Sequence, residues 1–198
     1  MSHEVNSMKS KDLSEIEKSL SKIHPFSKEQ LDLFMGQLDF ISLKRKDFLL
    51  KKSQVSDGIA FILNGSFRFF ENLDHGELTI KFFVENNWVA DLESLLSQQP
   101  STIYIEALED SEIASISLVN IHRLMDVHPD FQKLNALIAD LIIPPSYIAT
   151  INAKSPDERY QELLLKHPQW INRFPQMLIA SYLGMTPETL SRVRARMR

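Results

Sequence analysis

The final twenty residues, Ile179-Ala-Ser-Tyr-Leu-Gly-Met-Thr-Pro-Glu-Thr-Leu-Ser-Arg-Val-Arg-Ala-Arg-Met-Arg198, constrain the fold more than any other stretch. They spell a helix, a tight turn and a second helix. Small Ala180 allows close helix approach, and Gly184 can adopt the positive φ that ends the first helix. Thr186 suits an N-cap and Pro187 the first helical position. Ile179, Leu183, Met185, Leu190 and Val193 form the apolar inner face, which leaves Ser191, Arg192, Arg194, Arg196 and Arg198 largely outside. That pattern fits a helix-turn-helix whose second helix enters a DNA groove. A plain helical hairpin is the competing reading, because arginines also suit a helix C-terminus.

The formal net charge of −4 conflicts with DNA binding until it is divided along the chain. Residues 151–198 hold eight basic and four acidic groups, net +4, whereas residues 1–150 hold 14 and 22, net −8. An acidic body with a basic end presents one surface to a polyanion. The chain contains no cysteine, which excludes disulfides and cysteine-ligated clusters. No apolar run approaches the ~20 residues needed to cross a bilayer. The N-terminus lacks the regions of a signal peptide, so a cytoplasmic protein with no membrane partner is expected.

Upstream, the patterning predicts helices over 13–23 and 27–38, the second opened by a Ser27/Gln30 capping box. From about Ile41 to Ser117 short β-rich runs follow. Ile59–Leu63 and Ser66–Phe70 flank Asn64-Gly65, which predicts a hairpin. Asp74-His-Gly-Glu77 marks a second turn. Strands are also expected over 102–107 and 112–117, and many short strands suggest a jelly roll. Ser117 or Asn120 caps a short helix reaching Val127. An apolar helix is expected over 130–143, broad enough to bury against a second subunit and interrupted by Pro144-Pro145. Ser155-Pro-Asp-Glu158 is a capping box opening a helix to Lys166, with Tyr160, Leu163 and Leu164 inward.

This order resembles the Crp/Fnr family of bacterial transcription regulators over 13–198, most closely in Glu158–Pro168 and Ile179–Arg198. The turn glycine of Phe61-Ile-Leu-Asn-Gly65 is also family-like. The resemblance implies an α+β fold: an N-terminal jelly-roll-like β-roll with flanking helices, a dimerisation helix and a C-terminal, winged-helix-like helix-turn-helix. The expected domains are a sensor at 1–129, a dimerisation segment at 130–150 and a DNA-binding module at 151–198. The implied partner is double-stranded DNA with a two-fold operator, bound by a homodimer.

Carried over residue by residue, Glu188 and Arg192 match the family's base-reading acid and base. Arg192 can bond guanine O6 and N7, and Glu188 can accept from cytosine N4. Pro187 stands where some members have a further arginine. Thr186, Thr189, Ser191 and Arg196 complete the expected DNA-contacting set, and Arg194, Arg196 and Arg198 suit phosphates or the helix terminus.

The sensor departs from the family's cyclic-nucleotide cassette of Gly-Glu-Leu followed by Arg-Ser or Arg-Ala. Here Ala90-Asp91-Leu92-Glu93 precedes Pro100-Ser101-Thr102, and no lysine or arginine lies between Glu85 and Arg123. A buried cyclic phosphate would find no cation in that segment, and uncompensated buried charge is costly. Cyclic AMP is therefore not the expected effector, and the effector is an unknown small molecule if one exists. Trp88, Asp91, Glu93, Ser101 and Thr102 are the candidate pocket residues. Asp91 and Glu93 could share a strand face, more simply as solvated carboxylates than as a catalytic dyad.

The six histidines lack H-x-x-x-H spacing, so no metal and no cofactor are expected. No nucleophile elbow or phosphate loop appears, and no enzyme is expected. The aromatic set Phe61, Phe67, Phe69, Phe82 and Trp88 reads as core. Two alternatives stand beside the DNA-binding reading: a ligand-binding or protein-interaction module that binds no DNA, and a jelly-roll enzyme.

Overall fold

The computed structural model describes residues 13–74, 76–139, 141 and 153–197. His75, Pro144-Pro145, Arg198 and most of the expected dimerisation segment lie outside them. The described contacts divide the chain into two compact units, 1–68 with 83–142, and 69–82 with 143–198.

Among the described residues eight strands form two four-stranded sheets. The first has the order β1 (Asp39–Leu43), β8 (Ser111–Ser117), β3 (Gly58–Asn64), β6 (Trp88–Val89). The second has the order β2 (Phe48–Leu50), β7 (Tyr104–Ala107), β4 (Ser66–Leu73), β5 (Gly76–Val84). Orders 1-8-3-6 and 2-7-4-5 are those of a jelly roll, in which successive strands alternate between sheets except at β4 and β5, which are neighbours in one sheet. In the first sheet, β1–β8, β3–β8 and β3–β6 are antiparallel.

The Asn64-Gly65 hairpin is therefore corrected. Strands β3 and β4 lie in different sheets, so Gly65 makes a corner. Its φ is +96°, and a Cβ there would lie 2.1 Å from Ser111 Oγ, which leaves room only for glycine. The consecutive strands that pair within one sheet are instead β4 and β5. An Asn-Gly dipeptide encodes a tight reversal, but not which sheet receives the next strand.

Helices close the first unit. Residues 13–21 form α1, followed by α2 (Lys28–Met35), α3 (Leu92–Ser97) and α4 (Leu118–Val127). The Ser27/Gln30 capping box is formed. Ser117 caps α4 by accepting from Asn120 N–H. Ile16, Leu20, Phe34 and Leu124 pack with Phe61, Trp88 and Ile116 in one core.

The apolar stretch after Val127 does not begin as an α-helix. A 3₁₀ helix, Pro129–Lys133, precedes α5 (Leu134–Ala139). His128 opens it by accepting from Asp130 N–H, and buried Gln30 donates to the Asp130 carboxylate at 2.9 Å. That amide, with His128 and His24 nearby, holds the Asp130 carboxyl below its ordinary pKa.

The second unit contains α6 (Pro156–Lys166), α7 (Trp170–Arg173), α8 (Gln176–Tyr182) and α9 (Pro187–Arg196). Tyr160 and Leu163 are buried as expected. Leu164 is 38 % exposed, against the inward placement, because the helix turns it away from its neighbours. Among the described residues no helix is long and apolar enough to cross a membrane.

Candidate nucleic-acid interface

Helices α8 and α9 are joined by a glycine turn whose hydrogen bonds account for its shape. Gly184 has φ +60°. Its N–H donates to Ser181 O at 3.0 Å, and Met185 N–H donates to Ala180 O at 3.0 Å. This is the Schellman pairing, which satisfies carbonyls that the helix end would leave open. Ala180 is fully buried, so α9 can approach α8 at that point. Thr186 then caps α9, its hydroxyl accepting from Thr189 N–H at 3.2 Å, with Pro187 at the first helical position.

The apolar positions of this pair face inward. Leu183, Leu190 and Val193 are buried with Ile179, while Met185 is half-buried. The opposite face of α9 exposes Thr186, Glu188, Ser191 and Arg192, with Thr189 half-buried. Arg192 Nε lies 3.4 Å from Glu188 O, one turn back along the same face. The Glu188 carboxyl is held below its ordinary pKa by its own backbone N–H first, then by Thr186 and Arg192. This face therefore presents a carboxylate and a guanidinium together near neutral pH.

Arg196 is placed differently. Its Nη2 donates to both Asp157 oxygens, at 2.8 and 2.7 Å, so it ties the end of α9 to the first turn of α6. Two turns of the same module are held by residues that sequence patterning did not single out. Arg159 Nη1 donates to Leu183 O at 2.6 Å and Gly184 O at 3.1 Å, clamping the glycine turn. Glu162 is bridged by Lys154 at 2.5 Å and Lys166 at 2.6 Å, and those two donors lower its pKa to about 2. The i, i+4 spacing of Glu162 and Lys166 was a visible signal for one arm. Arg159 had none, since its partners are backbone carbonyls more than twenty residues away.

The sensor candidates are dispersed. Trp88 is buried in the core against Phe61 and Phe34, its Nε1 donating to Ser19 Oγ at 3.0 Å. Asp91 and Glu93 do not share a strand. Asp91 is the N-cap of α3, accepting from Ser94 N–H, and Glu93 is exposed on that helix. Ser101 is buried, its hydroxyl bonded to the Ile103 backbone, and Thr102 is exposed. A cavity of about 40 Å³ is lined by Leu50, Ser56, Gly58, Ala60, Ala90 and Ser115, among others, and by none of these five.

One buried cation does occur in the roll. Arg68 on β4 pairs with Glu106 on β7 at 2.6 Å, the two side chains 7 % and 13 % exposed. Arg68 precedes the cassette in sequence, so a search within the cassette misses it. Among the described residues no group of three or more His, Asp or Glu is arranged to hold a metal ion.

Residues 40–128 match the family described as Cyclic nucleotide-binding domain. Comparison with curated proteins finds no match. Among solved structures, FixK2 from Bradyrhizobium japonicum is similar at 17 % identity, with 81 % of this chain and 84 % of that chain covered and a TM-score of 0.64. The c-di-GMP-responsive global regulator CLP from Xanthomonas campestris gives 12 %, 86 %, 91 % and 0.68 in the same order. The catabolite activator protein of Thermus thermophilus gives 17 %, 88 %, 84 % and 0.54. At these identities the likeness is one of fold. The chain carries a cyclic-nucleotide-binding-like β-roll within a Crp/Fnr-like α+β architecture.

Proposed function

We propose that this Crp/Fnr-like chain is a sequence-specific, DNA-binding transcription regulator acting as a homodimer on a two-fold operator. The observation that carries the reading is the outer face of α9. Glu188, Ser191 and Arg192 stand exposed beside Thr186 while Leu190 and Val193 anchor the helix from behind. A helix held by its apolar side, with a carboxylate and a guanidinium one turn apart, has the groups that read cytosine N4 and guanine O6/N7. In this reading residues 1–129 are the sensor, 130–150 join the subunits and 151–198 contact DNA.

The effector is not cyclic AMP in its usual mode. A cavity of about 40 Å³ has room for one water, whereas small-molecule pockets measure roughly 300–1,000 Å³. Asp91, the nearest counterpart of a ribose-binding carboxylate, is buried and engaged as a helix cap. A ligand of nucleotide size does not fit that cavity as it stands.

Selection from a pool of short duplexes, read by fluorescence anisotropy at two salt concentrations, tests the function. The expected result is enrichment of a two-fold motif, with affinity falling steeply as salt rises. Failure to enrich any sequence, with and without a panel of cyclic nucleotides, would favour a protein-interaction module instead.

A further inference from the structure

The last strand of a sheet offers a row of backbone donors and acceptors to any chain that can pair with it, and proteins shield such edges. Among the described residues four strands end the two sheets: β1 and β6 in the first, β2 and β5 in the second. Three of them are protected. Strand β6 is two residues long and buried. Strand β2 is three residues long with none exposed. The outer edge of β5 is met by Ser181, whose hydroxyl accepts from Thr79 N–H at 2.8 Å and donates to Glu77 O at 2.7 Å. Strand β1 lacks such protection. Its first four residues are exposed, and because side chains alternate, both faces of the strand are open. Phe40 is 49 % and Ile41 41 % exposed. The register with β8 runs unbroken from Asp39 to Leu43, so no bulge twists the edge away, and the strand holds no lysine or proline.

Charge divides the surroundings of β1. Before the strand, an open groove of about 560 Å³ is lined by Glu29, Asp32, Leu33, Gly36 and Gln37, with Lys28 as its one cation. Asp39 extends this acidic flank into the strand, and Leu33 is 41 % exposed. After the strand comes the turn Lys44–Asp47, closed by Asp47 N–H donating to Lys44 O at 2.8 Å. It carries three cations against Asp47. Lys44 is bridged to Asp110 at 2.7 Å, so the outward charge of the turn is that of exposed Arg45 and Lys46.

We propose that β1 is a self-association edge, where a second copy of this chain adds its own β1 in antiparallel, two-fold pairing. An apolar centre with an acidic flank before it and a basic flank after it is complementary to itself only when the copies run in opposite directions; parallel strands would set like charge on like. Centred on Ile41, the pairing sets all five residues of β1 against those of the copy, with Ile41 opposite Ile41, Phe40 opposite Ser42 and Asp39 opposite Leu43. The turn that follows each strand then falls beside the groove that precedes the other, where Arg45 and Lys46 meet Glu29 and Asp32. The two-fold axis makes each of these contacts twice. Two five-residue edges and a shallow groove form a small interface, so the association is reversible and depends on concentration. It needs no DNA and is separate from segment 130–150, which joins subunits in the DNA-binding reading. With both contacts in use, two dimers join into an assembly of four chains.

Sedimentation velocity on the full chain over a dilution series tests the edge. The wild type should show a reversible step that doubles the mass. Ile41→Lys, which sets two like charges opposite each other on the axis, should weaken that step by about ten-fold or more. A wild type without a doubling step leaves the edge to some other partner and overturns the proposal, as does a step of unchanged strength in Ile41→Lys. Cross-linking is the second measurement. The sequence has no cysteine, and directly opposed residues of paired strands lie within disulfide reach, so Ile41→Cys should link two copies on oxidation. Ser97→Cys, exposed on α3, is the control and should link far more slowly. Equal linking by both variants counts against the edge. A dimer that survives in Ile41→Lys is the one expected of segment 130–150. If Ile41→Lys instead turns a dimeric wild type into monomers, β1 is itself the subunit contact, and the role given to segment 130–150 fails while the edge stands.

Discussion

The β-roll and the C-terminal helices use polar side chains in opposite ways. In the roll, polar groups turn inward to complete backbone structure: Asp91 caps α3, Ser101 bonds the Ile103 backbone, and Arg68 pairs with Glu106. In the helical module they turn outward or brace one helix on another. Glu188, Ser191 and Arg192 face solvent, while Arg159 and Asp157 hold the turn and the end of α9. The polar groups of the first kind are committed to the fold, whereas those on the outer face of α9 are not needed to hold that helix in place.

Substitutions can break this comparison, beginning with the roll. Phe61 is fully buried against Trp88, so Phe61→Ala should cost about 3–5 kcal/mol of stability in chemical denaturation. A loss below about 1 kcal/mol would mean that the roll is loosely packed and can open for a ligand after all.

The next effect is on recognition. Arg192→Ala should cost about 1–3 kcal/mol of specific DNA binding and relax selectivity at one base position. Arg196→Ala should lower affinity with selectivity unchanged, because Arg196 braces the helix through Asp157. Selection profiles of the two variants sharpen the contrast between reading and bracing, and identical profiles would erase it.

Capping comes third. The Ser155 hydroxyl accepts from Glu158 N–H, and Glu158 returns a bond to Ser155 N–H at 2.7 Å. Ser155→Ala should lower stability by about 1 kcal/mol and loosen the turn of α6 that carries Asp157 and Arg159.

The smallest effect is that of pH. Glu162 is depressed to about 2 by its two lysines, so its contribution is complete above its ordinary value of 4.5 and is lost as pH falls from there toward 2. The pair side chains are more than a third exposed, which keeps the total within about 1 kcal/mol. Denaturation of wild type and Glu162→Gln at pH 7 and pH 3 should differ more at pH 7. An equal difference at both would remove the bridge from the stability of the module.

Much of the molecule was legible locally. Both capping boxes, the Thr186 cap and the Gly184 turn were readable because each depends on residues within four positions. The outward face of α9 followed from helical period alone. The α3 helix was not legible, since six residues between two strands give too few turns for a period, and Asp91 looks the same on a strand as at a cap.

What the sequence determined by itself is the set of short-range choices: where helices start and stop, which face of α9 is polar, and the acidic-to-basic division of charge. The tertiary structure alone decided which sheet each strand joined, that Gly65 turns a corner, that Arg196 meets Asp157, and that Ser181 closes the edge of β5. Hydrogen bonds within a turn are dictated by neighbours in the chain. A pairing across a hundred residues depends on loop closure and on the packing of every element between, and no local pattern encodes that.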